Sequence, residues 1–323
     1  MNQLTLTIRR EAARLLEEDI VDVVIGFKAG TFPLRTQPAF VTEREQVDQL
    51  VHNGFCQNNL ASYLTRRDKV ERIGIVCRGC ESRAVRVLVA EHQRDRESLY
   101  VIGIPCTGIV DWRKIEARAG LGPEQSANLV KAVETEDEVI VTSRTGEHRL
   151  RRADVLHDSC QRCAYPNPIG ANIVLGDLVP EGDPKEAWSS VAEFEALPAE
   201  ERYAAFVEES ECCIRCYACR EACPMCYCTE CFVDYNAPRW IESMVTPGGT
   251  QGWHLVRAFH QTGRCVSCGA CERACPMDIK MTYLTDKLNS DMLQQYGFEV
   301  GADEDAPPPF AAFTLDDEER FVR

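Results

Sequence analysis

The sequence predicts an α/β protein, with a mainly parallel sheet in its N-terminal domain and a small cysteine-rich α+β domain behind it. Three observations carry that reading. Apolar strand-like runs alternate with helical patterns up to about residue 155. Cys77 and Cys106 fall at the carboxyl ends of two of those runs, where parallel sheets gather ligands. From Glu211 the composition changes abruptly, and eight cysteines lie in ECCIRCYACREACPMCYCTECF.

TIRREAARLLEED reads as a first helix and DIVDVVIGF as the first strand. TEREQVDQLVHNGF and QNNLASYLTRR read as helices, RIGIVC as a second strand and SRAVRVLVAEHQ as the helix that follows it. SLYVIGIPC is the third strand and EDEVIVTS the fourth. GDLVPEGDP has turn chemistry, and KEAWSSVAEFEALPAEERYAAFVEES then reads as two short acidic helices. The expected division is an α/β domain at 1–180, an acidic helical linker at 181–210, a cysteine-rich domain at 211–290 and an acidic tail at 291–323. Three consecutive prolines mark that tail as extended, with PFAAF and FVR as segments that either fray or anchor on a partner.

A chain of 323 residues buries sizeable cores without disulfides. The formal charge of -15 argues against nucleic acid, whose phosphates demand a basic stripe. No run reaches the ~18 apolar residues of a membrane span, and charged residues follow the N-terminal Arg9–Arg10 pair where an export signal needs an apolar stretch. A soluble, cytoplasmic protein is expected. In a reducing compartment, 18 cysteines at short fixed spacings point to metal rather than to a disulfide framework.

CIRCYACREACP places Cys213, Cys216, Cys219 and Cys223 at C-x2-C-x2-C-x3-C-P, and CVSCGACERACP repeats it with Cys265, Cys268, Cys271 and Cys275. Three thiolates spaced by two residues wrap three corners of a cubane, and the fourth, before proline, crosses to the other cluster. The expected 4Fe-4S ligand sets are Cys213, Cys216, Cys219 with Cys275, and Cys265, Cys268, Cys271 with Cys223. Zinc also favours CxxC pairs, but it needs only four ligands, which a doubled run overshoots. The region resembles a bacterial two-cluster ferredoxin, with a longer insert between its runs.

CRGCESRAV, GIPCTG and HDSCQRCAYPNP add Cys77, Cys80, Cys106, Cys160 and Cys163. With VDVVIGF and GANIVLGD, these blocks resemble the beta subunits of deazaflavin-reducing hydrogenases and formate dehydrogenases over residues 15–180. The resemblance implies a 4Fe-4S cluster on Cys80, Cys106, Cys160 and Cys163 beside a flavin (FAD), with Cys77 a non-ligand. The alternative to ligation at Cys80 and Cys106 is a pair of buried small apolar side chains at strand ends. The helix that in the family opens with paired glycines has none here, and NGFCQNN replaces the small polar stretch after it. Gly26, Lys28, Gly30 and Gly54 either line a cofactor pocket or are ordinary turn residues.

Cys226, Cys228 and Cys231, with Cys212 or Cys56, form an additional cluster, hold zinc, or tune their neighbours. The six histidines show no metal-like pairing, and Trp112, Trp240 and Trp253 read as core or interface. The expected function is an electron-transfer subunit of an anaerobic oxidoreductase complex. The resemblance implies a molybdenum or tungsten formate dehydrogenase, a hydrogenase or a heterodisulfide-reductase-like flavoprotein as its partner. The rivals are a flavin subunit that itself passes hydride to a deazaflavin or nicotinamide, and a zinc-stabilised scaffold.

Overall fold

Three largely buried strand runs, Val23–Ala29, Ile73–Cys77 and Leu99–Gly103, set the architecture. In a computed structural model, which describes residues 2–311 apart from 123–127, 145, 243, 304–305 and 307, the main sheet has a parallel centre. Helix α1 (Gln3–Glu17) is capped by Asn2, whose side chain accepts from the Thr5 amide, and buries Ile8, Ala12 and Leu15 at helical spacing. Strand β1 (Val23–Ala29) pairs antiparallel with β2 (Thr36–Val41) and with the two-residue β3 (Leu50–Val51). It pairs parallel with β4 (Ile73–Cys77), which pairs parallel with β5 (Leu99–Gly103); Ile173–Val174 extends the sheet beyond β5. Every residue of β4 is buried, as a strand covered on both faces requires. Helix α2 (Gly79–Ala90) returns from β4 across the sheet to β5.

The α/β class and the parallel centre are as the sequence predicts; several elements differ. TEREQVDQLVHNGF is not one helix: a 3-10 turn at Arg44–Gln49 gives way to β3, because Leu50 is needed under β1. QNNLASYLTRR also winds as a 3-10 segment, Leu60–Arg66, with Asn59 accepting from the Ala61 amide and Glu81 from the Leu60 amide. β2 carries no clear strand pattern in the sequence because Pro38 interrupts it, which only an edge strand tolerates. EDEVIVTS leaves the main sheet altogether. β6 (Leu129–Glu134), β7 (Glu138–Ser143) and β8 (Gly146–Arg151) form a separate antiparallel meander, after α3 (Trp112–Ala119). Burial of β7 alternates residue by residue, the mark of a sheet with one wet face.

After α4 (Asp158–Gln161), the linker folds as three helices rather than two: α5 (Pro184–Ala187), α6 (Ser189–Glu195) and α7 (Ala199–Glu211), with Pro198 separating the last pair. The cysteine-rich region then contains α8 (Ala218–Ala222), α9 (Pro247–His260), α10 (Ala270–Ala274) and α11 (Thr282–Tyr296). Among the described residues it has helices and no strand; its cysteine loops spend their backbone on tight turns and amide–sulfur contacts instead of ladders. Trp253 is the buried centre of this region, between the rings of Tyr217 and Phe232, whereas Trp240 is exposed. Residues 312–323 of the tail, including FVR, lie outside the described residues. Among the described residues no helix is long and apolar enough to cross a membrane.

Candidate metal centres

The first group of thiols forms at the carboxyl edge of the parallel strands. Register sets Cys77 of β4 beside Gly103 of β5, so the loops leaving both strands emerge together and bring Cys80 close to Cys106. Gly79 makes the turn possible: a Cβ there would lie 2.1 Å from the Tyr165 carbonyl oxygen, so the 165–167 backbone can rest on it only if it is glycine. The Cys106 amide donates to the Pro166 carbonyl (3.0 Å), and the His157 amide to the Ile109 carbonyl (3.0 Å), which draws the Cys160–Cys163 turn against the Cys106 loop. Backbone amides then reach sulfur, Gly108 N–H to Cys106 Sγ and Ile109 N–H to Cys160 Sγ, both at 3.3 Å. A cavity of about 200 Å³ is lined by Cys80, Cys106, Cys160 and Cys163, with Ser267 and Cys268 of the C-terminal region closing its wall.

Burial pushes the Cys80 thiol well up, against the pull of Arg78, and pushes Cys163 up to about 11. Arg78 itself is buried beside Glu81, with their closest atoms 2.9 Å apart. Burial raises the Glu81 carboxyl, but the guanidinium and two backbone amides together hold it below the ordinary range.

The two contiguous runs repeat one backbone signature. In the first, Arg215 and Tyr217 take left-handed φ of 52° and 60°; in the second, Ser267 and Gly269 take 51° and 68°. These turns aim three sulfurs of each loop inward before a short helix, α8 or α10, leads to the Cys-Pro step. The Arg215 amide donates to Cys213 Sγ at 3.4 Å. Burial pushes Cys213 and Cys219 up, and the neighbouring Cys275 adds to both. Burial also pushes Cys265 up to about 12 and Cys271 well up, with Cys223 adding to each. Cys275 therefore stands by Cys213 and Cys219, and Cys223 by Cys265 and Cys271.

Arginines lock this region onto the α/β domain. Arg273 donates to the carbonyls of Gln57 (2.7 Å) and Cys268 (2.6 Å), Arg113 to that of Cys275 (2.5 Å), and Arg264 meets Glu91 at 2.5 Å. Helix α9, from the long insert between the runs, adds Arg257 and Gln261, which the sequence reading passed over. The signal was available: Trp253, Arg257 and Gln261 recur every four residues, so a cation and an amide share the apolar face of a helix. Gln261 joins Cys223 and Cys226, at 3.4 Å to each sulfur.

The remaining cysteines scatter. Cys226 is held at Cys223 and Gln261, Cys231 packs in the cluster around Trp253 near Arg220, and Cys228 is exposed. Cys212 is exposed at the end of α7, its thiol turned to the Glu208 carbonyl. Cys56 and Cys77 are fully buried in the α/β core. Among the described residues no three His, Cys, Asp or Glu side chains converge tightly enough for a single metal ion.

All 18 cysteines are free thiols, and twelve of them fall into the three groups above, with amides donating to sulfur in two of them. That donor set fits iron–sulfur clusters, which are held by thiolates and tuned by such amide bonds. Because burial raises the Cys163 and Cys265 thiols, loading iron there must release their protons.

A cleft of about 580 Å³ adjoins Cys106 on the other side. It is lined by Gly54, Arg78, Glu134, Glu136, Arg152 and Asp177 among others, but not by Gly26, Lys28 or Gly30. Gly54 N–H already donates to Glu134 (2.5 Å), Arg152 is held by Glu134 and two carbonyls, and Arg78 by Glu81. Three carboxylates facing two committed guanidiniums do not fit the diphosphate of FAD.

Residues 70–194 match the model of the family described as the C terminus of the coenzyme F420 hydrogenase/dehydrogenase beta subunit; residues 259–280 match that of the 4Fe-4S binding domain. The first span holds Cys80, Cys106, Cys160 and Cys163, and the second holds Cys265 to Cys275. The chain is similar to the F420-dependent formate dehydrogenase subunit beta of Methanocaldococcus jannaschii, 24% identical over 352 residues, covering 92% of this chain and 91% of that protein. It is also similar to the F420-dependent formate dehydrogenase 1 subunit beta of Methanococcus maripaludis, 24% identical over 91% of this chain and 90% of that one. A chain of the F420-reducing NiFe hydrogenase complex from Methanosarcina barkeri matches with a TM-score of 0.42 and 16% identity, over 65% of this chain and 86% of that chain. The resemblance read from the sequence is borne out by the two family models over residues 70–194 and 259–280 and by the formate dehydrogenase beta subunits that match most of the chain.

Proposed function

We propose that this chain is an iron–sulfur electron-transfer subunit of a cytoplasmic, oxygen-sensitive oxidoreductase complex, a relay rather than an independent catalyst. Its partner is a catalytic subunit of formate dehydrogenase, hydrogenase or heterodisulfide-reductase-like type. The observation that carries this reading is the serial arrangement of three thiol groups. Cys268 forms part of the wall of the Cys80, Cys106, Cys160 and Cys163 cavity, so the cluster of Cys265, Cys268, Cys271 and Cys223 adjoins it. The set of Cys213, Cys216, Cys219 and Cys275 follows on the far side of Arg257, and its Cys216 is exposed. Arg215 donates to the carbonyls of Glu242 and Met244, so exposed Ile214, Met244 and Val245 flank the outermost thiols. Electrons pass one at a time along this series, and no side chain in it need move a proton or form a bond.

Two relatives named as beta subunits of F420-dependent formate dehydrogenases support the assignment to a complex. The hydride-transferring alternative requires flavin, and the acidic, self-paired lining of the cleft beside Cys106 speaks against it. Anaerobic purification of the full chain, with iron, sulfide, zinc and flavin measured together, tests the proposal. Three clusters' worth of iron and sulfide, paramagnetic signals after dithionite and no extractable flavin are expected. Iron beyond three clusters, or zinc, would place a fourth centre among Cys212, Cys226, Cys228 and Cys231. Colourless, iron-free protein would overturn the reading.

A further inference from the structure

The insert that separates the two cysteine runs drives a permanent cation between them. Arg257 lies on the buried face of α9 and is 5% exposed. Its geometric partners are weak: the Met281 sulfur at 3.8 Å and the Cys219 carbonyl at 3.4 Å, with Nε unpartnered. A buried guanidinium cannot shed its proton, and without a counter-charge it is costly. Burial works against the charge here, and what favours it is sulfur in its thiolate form, the form that ligates iron, from Cys271, Cys223, Cys226 and Cys219. Three of these thiols span both groups, Cys219 in one and Cys271 with Cys223 in the other. Gln261, one turn on, fixes the same side by bonding Cys223 and Cys226.

We propose that Arg257 is a shared potential-setting residue, a positioning cation that raises the reduction potentials of both ferredoxin-type clusters together. This rests on the reading above that the two runs hold clusters. Four thiolates around a cubane leave net negative charge, and reduction adds one electron to it. A fixed cation in a dry site stabilises the reduced state more than the oxidised one. No atom is transferred, and the guanidinium keeps its proton throughout. Placed near both groups, one cation shifts the two potentials in the same direction.

The test is a potentiometric titration of the anaerobically purified full chain, followed by low-temperature paramagnetic resonance, on wild type, Arg257→Gln and Arg257→Lys. In Arg257→Gln both ferredoxin-type signals should need a lower potential, the reduction equilibrium falling at least tenfold, or about 59 mV for a one-electron couple. The signal from the strand-end cluster should not move. Arg257→Lys, which keeps the charge, should titrate near wild type with full iron content. Unchanged midpoints in Arg257→Gln overturn the proposal, as does a fall in Arg257→Lys equal to that in Arg257→Gln. If Arg257→Gln fails to assemble, Arg257→Lys decides: iron retained with wild-type midpoints supports the charge role, and equal iron loss overturns it. Wild type lacking iron and sulfide is a separate outcome, which overturns the cluster reading and this proposal with it.

Discussion

The strand-end thiols and the two cysteine runs solve the same problem at different scales. In the runs, seven residues from Cys213 to Cys219, or from Cys265 to Cys271, gather three sulfurs on one loop through two left-handed turns. At the strand ends, Cys80 and Cys163 are separated by more than eighty residues, and they meet only because β4 and β5 are in register and the 160–168 segment folds back over them. The first kind of site depends on local backbone, the second on the whole α/β core. Damage to the core should therefore distinguish them.

The largest effect is expected within a run. Cys268→Ser should remove one cluster's iron and sulfide outright, and because Cys268 also walls the strand-end cavity, electron passage from that group should fail; metal analysis and reduction kinetics of the purified chain measure both. Next comes a purely tertiary lesion. Gly79→Ala forces a methyl against the Tyr165 carbonyl, costs roughly 1–3 kcal/mol and should lose the strand-end cluster while the two ferredoxin-type signals persist. Loss of all three together would erase the distinction drawn above.

A smaller effect concerns pH. Burial pushes the Asp286 carboxyl up to about 6, while the Ser267 hydroxyl that donates to it at 2.7 Å pulls the other way. A carboxyl raised in the folded state stabilises the fold below its unfolded value of 3.8, and that stability is lost as pH rises through about 6. Asp286→Asn should therefore raise stability by ~1–3 kcal/mol at pH 7 and flatten thermal midpoints between acid and neutral pH. The smallest change in metal content is expected at Cys77. Cys77→Ser should leave iron unchanged and cost ~1–3 kcal/mol by burying a hydroxyl, read by denaturant unfolding. An iron loss equal to that of Cys268→Ser would show that the strand-end set is drawn wrongly.

Much of this was legible in advance where spacing alone does the work. The runs, the parallel strands RIGIVC and SLYVIGIPC and the helix after the former follow from local pattern. The segments that misled are those governed by distant partners. EDEVIVTS has the alternation of a strand but nothing that says which sheet takes it, and TEREQVDQLVHNGF yields to a ladder with β1. Arg257 and Gln261 were missed because a helix face shows its polar residues without showing what lies opposite.

By itself the sequence determined which thiols are candidates for iron and the local turns that aim them, because a C-x2-C-x2-C loop is short enough for sterics to fix its shape. Only the tertiary structure decided their order in space: that Cys268 abuts the strand-end cavity, that Glu134 fills the place beside Gly54, and that a cation from the insert stands between the runs. Those facts depend on contacts between residues far apart in the chain, whose geometry is set by packing and burial.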